Sequence, residues 1–364
     1  MSSSISSSFS HSSSFIMDRI KGMFYALALG DAKGVPFEFR NISPKLTYTP
    51  IMPSEDIVIQ FRWNSVTMKA YSPSDDTEMT LALLFGFLQK GMKYDWETVL
   101  IEYMKCAKQT RTIGKNTRAL LKGVKTIKGY TNRMSKVEQD QKEIMQSNGS
   151  LMRASSLALM KNWNAKTCEL DTSLTNPNRL NQTITVLFVS LLRILLCGGT
   201  KEECKDLCKD CLSLPSSSSS YLISDSHNVN NISNKSQIIN NLPESVKQAI
   251  NDSFDEKTQR KLTHQDYGKG WVCNSFYIAL KAFWMFDNFE SAMQYVIAEH
   301  PGSDTDTNAS ICGALFGAWL GLDKLNECTI TRTNLIHLNE FWSNKYTGNY
   351  KLSEDLFEYL KQKL

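Results

Sequence analysis

The stretch Gly302-Ser303-Asp304-Thr305-Asp306-Thr307-Asn308-Ala309-Ser310 packs two carboxylates and several hydroxyls into one short turn. It runs directly into Ile311-Cys312-Gly313-Ala314-Leu315-Phe316-Gly317-Ala318-Trp319-Leu320-Gly321, which is apolar and rich in small residues. The succession predicts an acidic loop feeding a helix buried on all sides. A core of that kind needs a long globular chain, and 364 residues with 41% hydrophobic content can supply it. Two readings of the loop oxygens stand side by side. Carboxylate and hydroxyl oxygens are what a hard cation such as Mg2+ takes as ligands. The same residue types also cap helix N-termini, where negative charge is favoured. Two aspartates and two threonines in four positions exceed what one cap requires.

Other metal motifs fit the loop badly. An EF-hand opening at Asp304 would want glycine at its sixth position and glutamate at its twelfth, where this chain has Ala309 and Leu315. The Asp-x-Asp phosphatase signature wants threonine where Asn308 stands, and it follows a β-strand. The five histidines, His11, His227, His264, His300 and His337, form no spaced pair on one helix, which argues against zinc.

Charge and composition narrow the partners. A formal charge of +4, from 41 basic and 37 acidic residues, gives no polyelectrolyte balance for nucleic acid. The longest apolar run, Ile184 to Cys197, is broken by Ser190 and Arg193, so no membrane span is expected. Nine cysteines in a long chain favour free thiols and a reducing compartment, cytoplasmic with the nucleus open.

Residues 1–16 are dominated by serine and are expected to be a disordered tail, with the folded domain spanning 17–364. Ile20, Met23, Phe24, Leu27 and Ala28 follow helical spacing, and Gly22, Ala26 and Gly30 form a small-residue stripe that lets another backbone come close. Gly30-Asp31-Ala32-Lys33-Gly34-Val35-Pro36-Phe37-Glu38 follows; by itself, Asp31 reads as a surface turn residue and Glu38 as a solvated loop residue. Ser74-Asp75-Asp76-Thr77-Glu78 opens an apolar helix. Asp75 with Glu78 fits a capping box, but Asp76 is left over, and adjacent carboxylates are more natural beside a cation. Trp96 to Lys125 reads as amphipathic helix ending near Gly114-Lys115-Asn116-Thr117-Arg118, a turn open to phosphate contact or simple connection. Asn148-Gly149-Ser150 is a turn leading into a helix, whose exposed N–H groups suit an anion. Cys204, Cys208 and Cys211 match an iron–sulfur spacing, yet the same spacing is one buried stripe of a helix running through Lys201 to Leu212. About 214–242 is a Ser- and Asn-rich low-complexity insertion. Helical patterning elsewhere predicts an all-α fold, a single compact multi-helix domain.

Four segments in order resemble the ADP-ribosylglycohydrolase family: Gly30 to Glu38, Ser74-Asp75-Asp76-Thr77, Asn148-Gly149-Ser150-Leu151-Met152-Arg153, and Gly302 to Thr307. The resemblance runs from about Met17 to about Leu322. It implies an all-α domain with a central cleft for two Mg2+ ions, and hydrolysis of glycosidic bonds to ADP-ribose. Carried over by position, metal ligands fall on Ser74, Asp75, Asp76, Asp304, Asp306 and Thr307. Glu38 falls on the catalytic or gating glutamate, with Asp76 and Asp306 as the other catalytic candidates. Asn148, Gly149 and Ser150 fall on the ADP-ribose loop. The implied partner is an ADP-ribosylated protein or related conjugate, and a monomer is expected. Departures are Ser74 for threonine, Ser303 for glycine, the Ser155-Ser156 pair where a proline is usual, and Asn176 where histidine is common. The last puts substrate preference in question and leaves a second reading, a catalytically impaired ADP-ribose-binding or structural protein.

Overall fold

The computed structural model describes residues 13–39, 48–52, 57–60, 65–137, 139–161, 163–213, 242–258, 260, 269–300 and 302–364. Among them lie fifteen α-helices. They are α1 (Ser13–Gly34), α2 (Asp75–Gln89), α3 (Trp96–Gln109), α4 (Lys115–Leu121), α5 (Ile127–Met134), α6 (Gln139–Ile144), α7 (Ala165–Ser173) and α8 (Arg179–Leu196). There follow α9 (Lys201–Ser213), α10 (Glu244–Phe254), α11 (Val272–Met285), α12 (Phe289–Ala298), α13 (Thr305–Glu327), α14 (Thr329–Asn344) and α15 (Glu354–Lys363). The all-α expectation holds. One short antiparallel hairpin, β1 (Ile57–Gln60) with β2 (Ser65–Met68), pairs Ile57 with Met68 and Gln60 with Ser65.

Helix starts follow local chemistry. Asp95, Thr126, Asn164, Asn178, Asn288 and Ser353 each accept the backbone N–H three residues on, satisfying a donor the helix leaves free.

The centre is the antiparallel pair α1 and α13, whose backbones touch. A Cβ placed on Gly317 would lie 2.1 Å from the Gly22 carbonyl oxygen, one on Gly313 2.2 Å from that of Ala26, and one on Gly30 2.3 Å from that of Ala309. The stripe read as allowing a close backbone therefore meets a matching stripe on α13. Gly321, with φ 79°, breaks α13, and Asp18 of α1 accepts the Asp323 N–H just beyond it at 2.9 Å. Arg19 donates to Leu195 O and Ala318 O, closing the carbonyl ends of α8 and of α13 before the break. Around this pair pack α2 with α3, α11 with α12, and α8. Helix α8 is long and apolar enough to cross a membrane by composition, but 72% of it is buried, so here it is a core helix.

Two boundary regions are described only in part. Residues 1–12 of the Ser-rich tail lie outside the described residues, but α1 already begins at Ser13: Phe15 packs under the Arg19 guanidinium at 4.6 Å and Ile16 joins the core edge. Of the 214–242 insertion, only Leu242 is described, and it is buried in the core. Cys204, Cys208 and Cys211 line one buried stripe of α9, as the core reading had it.

Candidate functional site

The site grows from where α1, α2 and α13 converge. Gly34 ends α1 so close to α13 that a Cβ there would sit 2.4 Å from the Asp306 Cα, and Gly34 O accepts the Thr305 hydroxyl at 2.8 Å. The first turn of α13 is thereby held against the last turn of α1. The chain then turns through a 3-10 segment, Val35–Phe37, to Glu38 and to Phe39 at φ 53°, an uncommon conformation for a bulky residue. Phe39 N–H donates to Ser303 O at 2.9 Å, tying the Glu38 turn to the acidic loop.

Five carboxylates meet there. Asp31, Asp76 and Asp306 offer oxygens all within 4.8 Å of one another, and so do Glu38, Asp304 and Asp306. Asp306 belongs to both sets. The four aspartates are buried, and Glu38 is half-buried at the edge. Burial is the main reason their protons are held more tightly than in water. It pushes Asp31 up to about 6, partly offset by hydrogen bonds from Thr77 and Ser74. Asp76 is pushed well above the usual range by burial, then by the charges of Asp31, Asp75 and Asp304. Asp306 rises likewise from burial, then from Glu38, Asp304 and Asp76. Asp304 rises less steeply because Asp306, Asn148 and Thr307 hydrogen-bond to it.

The other expected ligands surround this cluster. Ser74 caps α2, accepting the Asp76 N–H at 3.2 Å and donating its hydroxyl to Asp76 Oδ2 at 3.0 Å. Asp75 belongs to neither carboxylate set; it accepts from Gly114 N–H at 3.3 Å, while its own N–H donates to Thr112 Oγ1 at 2.9 Å. Burial pushes Asp75 up to about 7. The Thr307 side chain eases the rise at both Asp76 and Asp304, and its N–H donates to Asp306 Oδ1 at 2.9 Å. Ser303, in place of a glycine, folds into its own loop: its hydroxyl donates to His300 O at 2.8 Å and accepts from Asn308 at 3.3 Å.

The Asn148-Gly149-Ser150 segment forms the facing wall, with a correction. It leads into 3-10 turns, Asn148–Ser150 and Ala154–Leu159, rather than an α-helix, so no α-helix dipole points from it. The stretch 150–160 is buried throughout and has no polar face to lay on a regular helix surface. Asn148 donates its amide to Asp304 Oδ2 at 3.0 Å and Ser275 Oγ at 2.9 Å. The Ser150 hydroxyl turns inward to accept from Asn181 at 3.1 Å, leaving the half-buried Gly149 as the open backbone of the loop. Gly270 closes the wall: its carbonyl accepts the Asn148 N–H, and a Cβ on it would stand 2.7 Å from Asp304 Oδ2.

Two residues behind the loop went unassigned or were read differently from the sequence. Arg153, fully buried, donates to Gly149 O and Thr175 Oγ1, both at 2.8 Å, and pairs with the buried Asp171 at 3.4 Å. Asn176 is fully buried, and its amide donates to Met145 O at 2.9 Å and Ser147 O at 3.1 Å. It anchors the loop from behind. Asp31, read as a surface turn residue, is instead inside α1 and fully buried. A sign of this was available: it stands between Gly30 and Gly34, next to the small-residue stripe.

An all-helical domain whose two central helices present converging, oxygen-only acidic side chains is in the class of candidate divalent-cation proteins. The chain belongs to the ADP-ribosylglycohydrolase family, whose model matches residues 12–359. A solved structure described as an ADP-ribosylglycohydrolase-related protein complex has a similar fold, with a TM-score of 0.62 at 21% identity, covering 96% of this chain and 99% of that one. No protein of curated function matches the chain. The family acts as glycohydrolases on ADP-ribose.

Proposed function

We propose that this protein is a Mg2+-dependent hydrolase that cleaves the glycosidic bond joining ADP-ribose to a modified protein side chain or a related conjugate. The observation that carries the reading is Asp76 Oδ1, a buried carboxylate oxygen with no hydrogen-bond partner among the described residues, inside a cluster of like charges. An orphaned anionic oxygen beside other carboxylates is costly unless a cation is near. The donor set consists of oxygens alone, which suits Mg2+. Asp76, Asp304 and Asp306 would hold two ions, with Ser74, Asp75 and Thr307 completing or orienting the set. Bound there, the pair would polarise a water and orient ribose hydroxyls.

The chain's own groups supply the rest. Loss of a group at the anomeric carbon develops positive charge on the ribose, which the surrounding carboxylates stabilise. Asp306 and Asp76, two of the carboxylates that converge in the site, can take a proton from an attacking water. Glu38, half-buried at the edge, is placed to hold a proton for the leaving group or to position it. Asn148 and Gly270 fix Asp304 on one side, and Gly149 offers open backbone to the nucleotide portion. Asn176 does not favour the impaired reading, because its amide supports the loop from within the core. Nine cysteines, none of them in a disulfide and seven of them buried, support a reducing, cytoplasmic setting.

The test is incubation with mono-ADP-ribosylated arginine and serine peptides, with and without Mg2+. ADP-ribose is expected to be released only with metal, and not by an Asp75→Ala, Asp76→Ala variant. Equal release in a chelator would remove the metal reading.

A further inference from the structure

Asp31 was not among the residues carried over from the family, yet it reaches from α1 into the turn that opens α2. Its Oδ2 accepts the Ser74 N–H at 3.0 Å, the Thr77 N–H at 3.1 Å and the Thr77 hydroxyl at 2.5 Å; Oδ1 has only a second, 3.2 Å contact with the Ser74 N–H. It is therefore a cap for α2 supplied from 43 residues away. A helix start favours negative charge, but Asp75, Asp76 and Glu78 already supply it in the first turn of α2, so capping does not call for a fourth carboxylate there. Asparagine and serine cap as well as aspartate does, whereas a carboxylate here is buried within 4.8 Å of oxygens of Asp76 and Asp306 and is repelled by both. One of those neighbours carries the partnerless Asp76 Oδ1.

We infer that Asp31 is a positioning residue with a double role: Oδ2 fixes the Ser74–Thr77 turn, and its remaining negative charge strengthens the hold on a divalent cation at Asp76 and Asp306. The inference rests on the proposed metal-dependent reading. In the cation-free protein the charge of Asp31 is a liability, and with the cation present it becomes an asset. Asparagine at this position would keep the shape, drop the charge and offer an N–H2 that can donate to Asp76 or Asp306. Serine would drop both the charge and the reach to the turn, its hydroxyl standing about where the Asp31 carboxyl carbon does.

The experiment is thermal unfolding of the full chain in EDTA and across a Mg2+ titration, for wild type, Asp31→Asn, Asp31→Ser and Thr77→Val. In EDTA at least one of the two charge-free variants is expected to melt at or above wild type. Both folded variants should need about tenfold or more additional Mg2+ for half of the metal-induced rise in Tm, the range seen when groups supporting metal ligands are removed. Thr77→Val removes one bond to Oδ2 and keeps the charge, so it should melt lower in EDTA with its Mg2+ midpoint unchanged. The inference is overturned if the Asp31 variants melt well below wild type in EDTA and keep the wild-type Mg2+ midpoint, or if Thr77→Val shifts that midpoint as much as they do. A wild type with no Mg2+ response at all would instead remove the metal reading beneath it.

Discussion

Gly30→Ala tests whether the site depends on main-chain contact between α1 and α13. The added Cβ would lie 2.3 Å from the Ala309 carbonyl oxygen and 2.7 Å from its carbon, whereas ordinary contact begins at 3.4 Å. The two helices must separate locally by roughly 1 Å, because backbone on both sides leaves no rotamer to absorb the clash. Alanine in a helix interior gains about 0.5–1 kcal/mol over glycine, and overpacking costs about 1–3 kcal/mol, with a backbone clash at the upper end. The net expected loss is about 2–2.5 kcal/mol, or roughly 3 °C in Tm for a chain of 364 residues. Asp31 lies on one helix and Asp306 on the other, so Mg2+-induced stabilisation should shrink as well. Urea unfolding followed by circular dichroism, with and without Mg2+, measures both. A variant as stable as wild type with an unchanged metal response would refute the argument that the seam sets the carboxylate spacing.

Other consequences can be checked separately. In metal-free buffer, stability should fall as pH rises from about 4 towards 7: with Asp31 raised to about 6 and Asp75 to about 7 from 3.8, the native state holds more protons than the unfolded chain across that window. A higher urea midpoint at about pH 8 than at about pH 5 in EDTA would contradict this. Arg153→Met strands the buried Asp171 carboxylate and should cost roughly 3–5 kcal/mol in urea unfolding, with little rescue by lysine. Asn176→Ala removes one donor from each of the Met145 and Ser147 carbonyls, which keep Asn178 and Asn181 as donors, so it should cost about 0.5–1.5 kcal/mol. It should also raise KM for an ADP-ribosylated peptide; an unchanged KM and Tm would show that the loop holds without it. The purified protein should be colourless, since Cys204, Cys208 and Cys211 are core thiols on one face of α9, and a brown preparation would restore the iron–sulfur alternative.

Much of the architecture was legible because local signals and burial agree. The α9 cysteine stripe and the small-residue stripe of α1 each follow from periodicity alone. The Ser74-to-Thr77 and Gly302-to-Thr307 segments stood out because each carries more carboxylates than its cap needs. What escaped depends on contacts far apart in the chain. An aspartate on a helix looks much the same exposed or buried, and beyond the flanking Gly30 and Gly34 it is the pairing of α1 with α2 and α13 that reveals Asp31. Asn148 meets Asp304 across 156 residues, and Asn176 meets Ser147 in the interior, so neither partnership leaves a spacing to read. The 3-10 turns after Asn148 were missed because in a run buried on every side, polar Ser150, Arg153, Ser155 and Ser156 included, no apolar period separates them from a helix.

The joining of Gly34 to Thr305, 271 residues apart, also sets a schedule for biosynthesis. At about 5–20 residues per second, α1 waits roughly 15–55 s on the ribosome before the first turn of α13 exists. Throughout that interval its glycine stripe lacks its partner and Asp306 does not yet exist, so the proposed cation site can close only on a nearly finished chain. A protein truncated before α13 would lack the one carboxylate shared by both clusters, however well its first helices had formed.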